Sequence, residues 1–172
     1  MEWQQVFIDS FERVVQGLEK ALADLSQIDL DERPHPDCNS MGWLTWHLTR
    51  AQDAVIADVT GQQQLWIKDS WNARFNRAPN PSDTGFGHKS QDVAAFKSPD
   101  VGALLGYHRA VFERSKQYLG NLSATELGRK LNHPVFPTVE TRLVAALSDN
   151  LQHLGQVAYL RGLLKGKGWK SL

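Results

Sequence analysis

Apolar residues recur three and four positions apart over four long stretches of this 172-residue chain, the spacing of one face of an α-helix. The first predicted helix spans Glu2 to Leu25, with Phe7, Phe11, Val14, Val15, Leu18 and Leu22 on one stripe. From Ile28 to Asn39 the prolines and turn formers forbid its continuation. Ser40 then reads as the N-cap of a second helix, MGWLTWHLTRAQDAVIADVTG, ending near Gly61. One row of it carries Trp43, His47, Arg50 and Ala54, and the next Leu44, Leu48, Ala51 and Val55.

Between Gln62 and Ser98 the pattern weakens. LWIKDSWNARF suits a short helix, whereas NRAPNPSDTGFGH is composed of turn residues and predicts a loop. A loop of this length inside a compact domain is usually functional or disordered. Ser98-Pro99-Asp100 reads as an N-cap followed by proline in the first turn of a third helix reaching about Leu119. Its inward side carries Val101, Leu104, Leu105, His108, Val111, Phe112 and Tyr118. NLSATELGRKL adds a helical turn capped by Ser123 with Glu126 three residues on, and LNHPVFP is a proline-bounded connector. Thr138 to Lys165, free of proline, is predicted to be the longest helix. No stretch alternates for long enough to make a strand. The expectation is an all-α four-helix bundle with long crossover connections, in one domain over residues 1–172.

Composition fits a globular chain, at 41% hydrophobic and 22% charged residues. Nineteen basic side chains balance nineteen acidic ones, so no overall field favours nucleic acid or an anionic membrane. Arg161, Lys165, Lys167 and Lys170 complement the dipole at a helix C-terminus. MEWQQVF lacks the basic-then-apolar pattern of a signal peptide, no apolar run approaches the ~20 residues of a membrane span, and a single cysteine excludes an intrachain disulfide. A cytoplasmic protein with neither membrane nor nucleic-acid partners is expected.

Candidate chemistry lies on the second and fourth helices. Asp149 and His153, four apart, share a helical face flanked by Val157, Leu160 and Leu164. A carboxylate and an imidazole at an apolar edge are costly to bury unless paired, hydrogen-bonded or bound to a metal. Bundles assemble metal sites from facing helices, and His47 supplies a third ligand. Two histidines and one carboxylate leave open coordination positions, as in catalytic sites, and suit zinc, nickel, iron or manganese. The plainer reading makes His47 a core histidine and Asp149–His153 a helical ion pair. Trp43 and Trp46 serve as core packing or as a substrate wall. Arg50, one turn beyond His47, is a candidate for an anionic substrate or an ion-paired arginine, and His108 for a donor that orients a ligand or a core histidine. Cys38, just before the proposed cap, reads as an inert thiol, and His88 as a loop histidine or part of a lid. DTGFGHKS lacks the glycine before its lysine that a phosphate-binding loop needs.

MGWLTWHLTRAQD, followed far downstream by DNLQHLGQVAYLRGLLKGKGW, resembles the DinB-like metalloprotein superfamily over essentially the whole chain. The resemblance implies a four-helix bundle whose divalent metal, zinc or nickel before iron or manganese, is held by His47, Asp149 and His153. Gly155 and Gln156 fall on the family's H-x-G-Q ending, which makes Gln156 a candidate neighbour of the metal or substrate. Many members carry histidine at the position of Asp149; the similar mycothiol-dependent maleylpyruvate isomerases carry glutamate, one methylene longer. The reach of the shorter aspartate is therefore a question of geometry.

Characterised relatives transfer a low-molecular-weight thiol to an electrophile, so the resemblance implies a metal-dependent thiol S-transferase acting on a small molecule. Metal-assisted hydrolysis and a non-catalytic metal- or ligand-binding stress-response protein are the alternatives. It further implies a homodimer, with Phe7 and Phe11 available to core or interface. The mass in solution at micromolar concentration tests this: twice the chain mass is expected, and a monomeric mass would refute it.

Overall fold

A computed structural model describes residues 3–166, so Glu2, Lys167 and Lys170 lie outside the described part. Among the described residues the helices are α1 (Trp3–Leu22), α2 (Gln27–Asp31), α3 (Met41–Thr60), α4 (Leu65–Lys68), α5 (Trp71–Arg74), α6 (Ser90–Ala95), α7 (Val101–Gly120), α8 (Ala124–Leu127) and α9 (Val139–Lys165). The one strand-like pairing among them is an isolated bridge between Lys130 and Thr138. No described helix is long and apolar enough to cross a membrane.

Ser40 caps its helix as predicted, and the ends expected near Gly61 and Thr138 carry caps of their own. Ser40 accepts from the Trp43 amide, Gly61 ends α3 in the left-handed conformation, and Thr138 accepts from the Thr141 amide. At α7 the boundary shifts: Asp100, not Ser98, accepts from the Ala103 amide at 2.8 Å. Proline restricts the residue before it to extended backbone, and Ser98 is held outside the helix by Asp31, which accepts its amide hydrogen. The segment after Ile28 is also less irregular than its prolines imply. A capping box of Ser26 and Asp29 nucleates α2, which stops at Asp31 before Pro34 and Pro36. LWIKDSWNARF makes two short helices, parted where Ser70 takes φ +56°.

The four long helices close a ring in which α1 touches α7 and α9, and α3 touches the same two. Cross-helix bonds fix the directions. Arg142 reaches Asp58 and Asn150 reaches Gln52, so α3 and α9 are antiparallel. Arg50 bonds Tyr107 and Gln52 bonds Ser115, so α3 and α7 are parallel neighbours. A parallel pair obliges the chain to travel back the length of α3, which at 1.5 Å per residue over 20 residues is about 30 Å. That return is the turn-rich stretch carrying α4, α5 and α6.

Helix α3 lies at the centre, with every residue from Met41 to Arg50 buried. Two apolar clusters surround it, one around Leu44, Trp46, Trp66 and Leu104, the other around Phe11, Ile56, Phe112 and Leu143. Phe11 is therefore core, and Phe7 packs beside it. Exposed apolar side chains lie elsewhere, among them Val6, Val144, Leu151, Tyr159 and Leu163.

His108 is enclosed in this core and receives no bond from the candidate metal ligands. The Thr49 hydroxyl donates to the Thr45 carbonyl, so its oxygen accepts from His108 Nδ1–H at 3.0 Å, and His108 Nε2 is left without a partner. Burial pushes the ring pKa down to about 4 from 6.5. The unfolded chain takes up this proton below pH 6.5 and the folded chain only near 4, so stability falls as pH drops through that window. His108→Leu is expected to remove an acid-dependent loss of roughly 3 kcal/mol, read from urea denaturation at pH 7 and near pH 4. An unchanged pH slope would show that the ring finds a partner on protonation.

Candidate metal centre

His47 projects from the middle of α3, and Asp149 and His153 from successive turns of α9, where the antiparallel register sets the helices face to face. One ligand atom from each of the three lies within 4.8 Å of the other two. Aspartate therefore reaches the group despite its short side chain. Among the described residues no fourth histidine, cysteine or carboxylate joins it.

Hydrogen bonding fixes what each imidazole offers. His47 Nδ1 lies 2.6 Å from the Thr84 carbonyl, an oxygen that only accepts, so Nδ1 carries the hydrogen and Nε2 is bare. His153 Nδ1 donates to Gln156 Oε1 at 2.7 Å, which frees its Nε2 to lie 3.3 Å from Asp149 Oδ1. A bare nitrogen and a carboxylate oxygen at that distance repel unless a proton or a cation stands between them. Asp149 Oδ2 is buried with no hydrogen-bond partner among the described residues. Together these atoms form a set of acceptors with no donor, which suits a divalent cation.

The two rings respond oppositely to their surroundings. Burial lowers the His47 pKa, and the bond to Thr84 recovers only part of the loss. Burial also acts to lower that of His153, but the Asp149 carboxylate and the Gln156 amide outweigh it and raise the pKa overall. Without a metal, the proton that relieves the repulsion belongs to His153.

The return segment holds His47 in place. The His47 ring stacks on Trp43 at 4.9 Å and 15°. Trp43 Nε1 donates to His88 Nδ1, so His88 Nε2–H faces Asp83 Oδ1 at 3.3 Å, and His88 stacks on Trp46. His88 thus fastens the loop rather than contributing a ligand. Asp83 also pairs with Arg77 at 2.7 Å. Gly85, at φ +89°, touches the site directly: a Cβ there would stand 2.9 Å from His47 Nδ1 and from Trp43.

Arg50 faces the protein interior, away from any substrate. It is fully buried and donates to the Asp83 and Pro81 carbonyls and to the Tyr107 hydroxyl. Its charge is met by Asp53, equally buried at 3.6 Å, and by the face of Trp66. Asp53 accepts from the Leu65 and Trp66 amides and from Tyr107. Asp53, Tyr107, Asp83, Thr84 and Gly85 were not singled out by sequence. An aspartate between Leu48 and Val55 on the apolar stretch of α3 is a signal for the first; nothing local marks the Thr84 carbonyl.

A four-helix bundle with a His–Asp–His acceptor cluster between its second and fourth long helices offers a group that could hold a metal ion. The chain matches the DinB superfamily over residues 10–157 and belongs to that family. A solved structure described as a conserved protein from Enterococcus faecalis is similar at TM-score 0.88 and 26% identity, covering 97% of this chain and 99% of that one. No functionally curated protein matches.

Gly85→Ala is expected to displace the Thr84 carbonyl from His47 and weaken zinc binding about 10- to 100-fold, measured by competition with a chromophoric chelator. Undiminished affinity would mean that His47 is oriented without the loop.

Proposed function

We propose that this protein binds one divalent cation through His47, Asp149 and His153 and acts as a metal-dependent thiol S-transferase. The observation that carries the reading is the acceptor cluster itself: two imidazoles with their bare nitrogens turned toward one carboxylate, and no fourth protein ligand among the described residues. Zinc and nickel suit two imidazoles and a carboxylate best, and iron and manganese also fit. A divalent cation there supplies the charge that lets a small thiol bind as thiolate near neutral pH.

The chain's own residues do the rest. Thr84 and Gln156 fix both ring tautomers so that Nε2 points inward. Asp149 contributes a negative charge where a third histidine would contribute none, which raises cation affinity and tempers acidity toward thiol. Trp43 covers the His47 ring and narrows the approach of water from that side. Cytoplasmic location, a small-molecule substrate and homodimerisation belong to the same reading.

Elemental analysis of untagged protein tests it first. About one metal per chain is expected, lost in His153→Ala; retention of full metal in Asp149→Ala would move the third ligand elsewhere. Cobalt-substituted protein should then develop a sulfur-to-metal charge-transfer band when a small thiol is added. Cobalt bound without that band would favour the non-catalytic binding protein, and no metal after incubation with zinc, nickel or manganese would overturn the site.

A further inference from the structure

Beside the metal cluster a cleft of about 660 Å³ opens between α9 and the segment that joins α2 to α3. That volume lies within the roughly 300–1,000 Å³ of small-molecule sites. Its position is set by the same antiparallel pair that forms the cluster. On α3 it is lined by Leu44, one turn before His47, and on α9 by Gln152 and Gln156, which flank His153. Gln156 is the wall that both share, since its amide oxygen accepts a hydrogen bond from His153 Nδ1–H.

The lining defines a ligand class. Leu44, Leu160 and Leu163 form an apolar side, while Asn39, Gln152 and Gln156 bring amides that donate and accept. Among the described residues the one charged lining side chain is Asp37. Its neighbour His35 leaves that charge unneutralised, because His35 Nδ1 accepts from the Asp37 amide and has no hydrogen to offer the carboxylate 3.7 Å away. Arg33, the nearest cation in sequence, donates to the Cys38 and Pro36 carbonyls and to Ser90 instead. Asp37 is 77% exposed, so solvent screens its charge; among the described residues the lining still offers an anion one like charge and no cation, whereas its amides and apolar side suit a cation or a neutral amide.

Gly155 keeps the cleft open. It lies in mid-helix, where glycine costs about 1 kcal/mol against alanine, and a Cβ there would meet nothing within 4 Å. Neither packing nor backbone conformation requires a glycine at this position. A side chain would project from the stretch of α9 that lines the cleft.

We propose that this cleft is a binding subsite for a neutral or cationic, partly apolar small molecule, taken in preference to carboxylates and phosphates. Its role as the acceptor's seat rests on the metal-dependent reading above; its ligand class does not.

The test uses three probes on one skeleton, phenylbutylamine, phenylbutanamide and phenylbutanoate, titrated into isotope-labelled full-length protein and followed by backbone amide shifts. The amine and the amide should shift Asn39, Gly155 and Tyr159, with the carboxylate about two- to fivefold weaker. Asp37→Asn should bring the amine down to the level of the amide. Gly155→Leu, with a better helix former, should fold, retain its metal and lose both probes. Equal binding of the carboxylate, undiminished binding in Gly155→Leu, or no shift with any probe at millimolar concentration would overturn the proposal. In His153→Ala, probe binding that survives loss of the metal separates the two readings; metal without probe binding in the native chain sinks the cleft alone.

Discussion

The buried ion pair of Arg50 and Asp53 is the constraint on which this architecture depends. Both side chains are fully enclosed, and in a low-dielectric interior two such charges are tolerated only when nearly every donor and acceptor is used. Here they are. Asp53 receives two backbone amides from the start of α4 and the hydroxyl of Tyr107 on α7, while Arg50 donates to Tyr107 and to two carbonyls of the return loop. The Tyr107 pKa rises well above its ordinary value, first through burial and then through the adjacent carboxylate, so the phenol keeps the proton that bridges the pair. Removing Asp53 would strand Arg50 in the interior, whereas Asp53 would keep Arg114, 3.6 Å from its other oxygen; the directed bonds of the group specify a structure more firmly than an apolar contact of the same size.

What the pair specifies is the course of the return segment. The parallel placing of α3 and α7 makes a long connection unavoidable, and Arg50 determines where its middle lies. Arg50 holds the Pro81 and Asp83 carbonyls, and one residue beyond Asp83 stands Thr84, whose carbonyl fixes the tautomer of His47. The chain thus uses a topological necessity as the outer wall of its polar cluster. Four residues of α3, from His47 to Arg50, link the candidate ligand to the group that anchors its support.

The long helices and their caps were legible in the sequence because they rest on local chemistry: apolar spacing, a serine or threonine that bonds an amide three residues on, a glycine at the end. Where two local signals compete, as with Ser98, Pro99 and Asp100, the pattern misplaced the cap by two residues. His47, Asp149 and His153 were legible for a different reason, since an i,i+4 pair and one further histidine are what two facing helices can bring together. Gln156 was singled out through the resemblance, and the structure adds its hydrogen bond to His153. Arg50 was read as an anion binder or an ion-paired arginine and is the latter, but the sequence does not reveal that its partner is Asp53, three residues along the same helix, or that two carbonyls from the loop enclose it. Tyr107 escaped the inward row of α7 for the related reason that its partners are all distant in the chain.

The placing of the cluster on α3 and α9 has a consequence for how the protein persists. His47 and His153 stand roughly a hundred residues apart, so a cation shared by them is a reversible cross-link that closes most of the chain into a loop. A ligand that binds only the folded state adds stability as RT ln(1 + [L]/Kd), about 4 kcal/mol when it is present at a thousand times its dissociation constant. With α9 otherwise half exposed along its outer side, that increment bears on the helix with the most surface to lose. On the proposed metal-binding reading, metal supply would govern the lifetime of the protein against proteolysis, independently of any reaction it carries out.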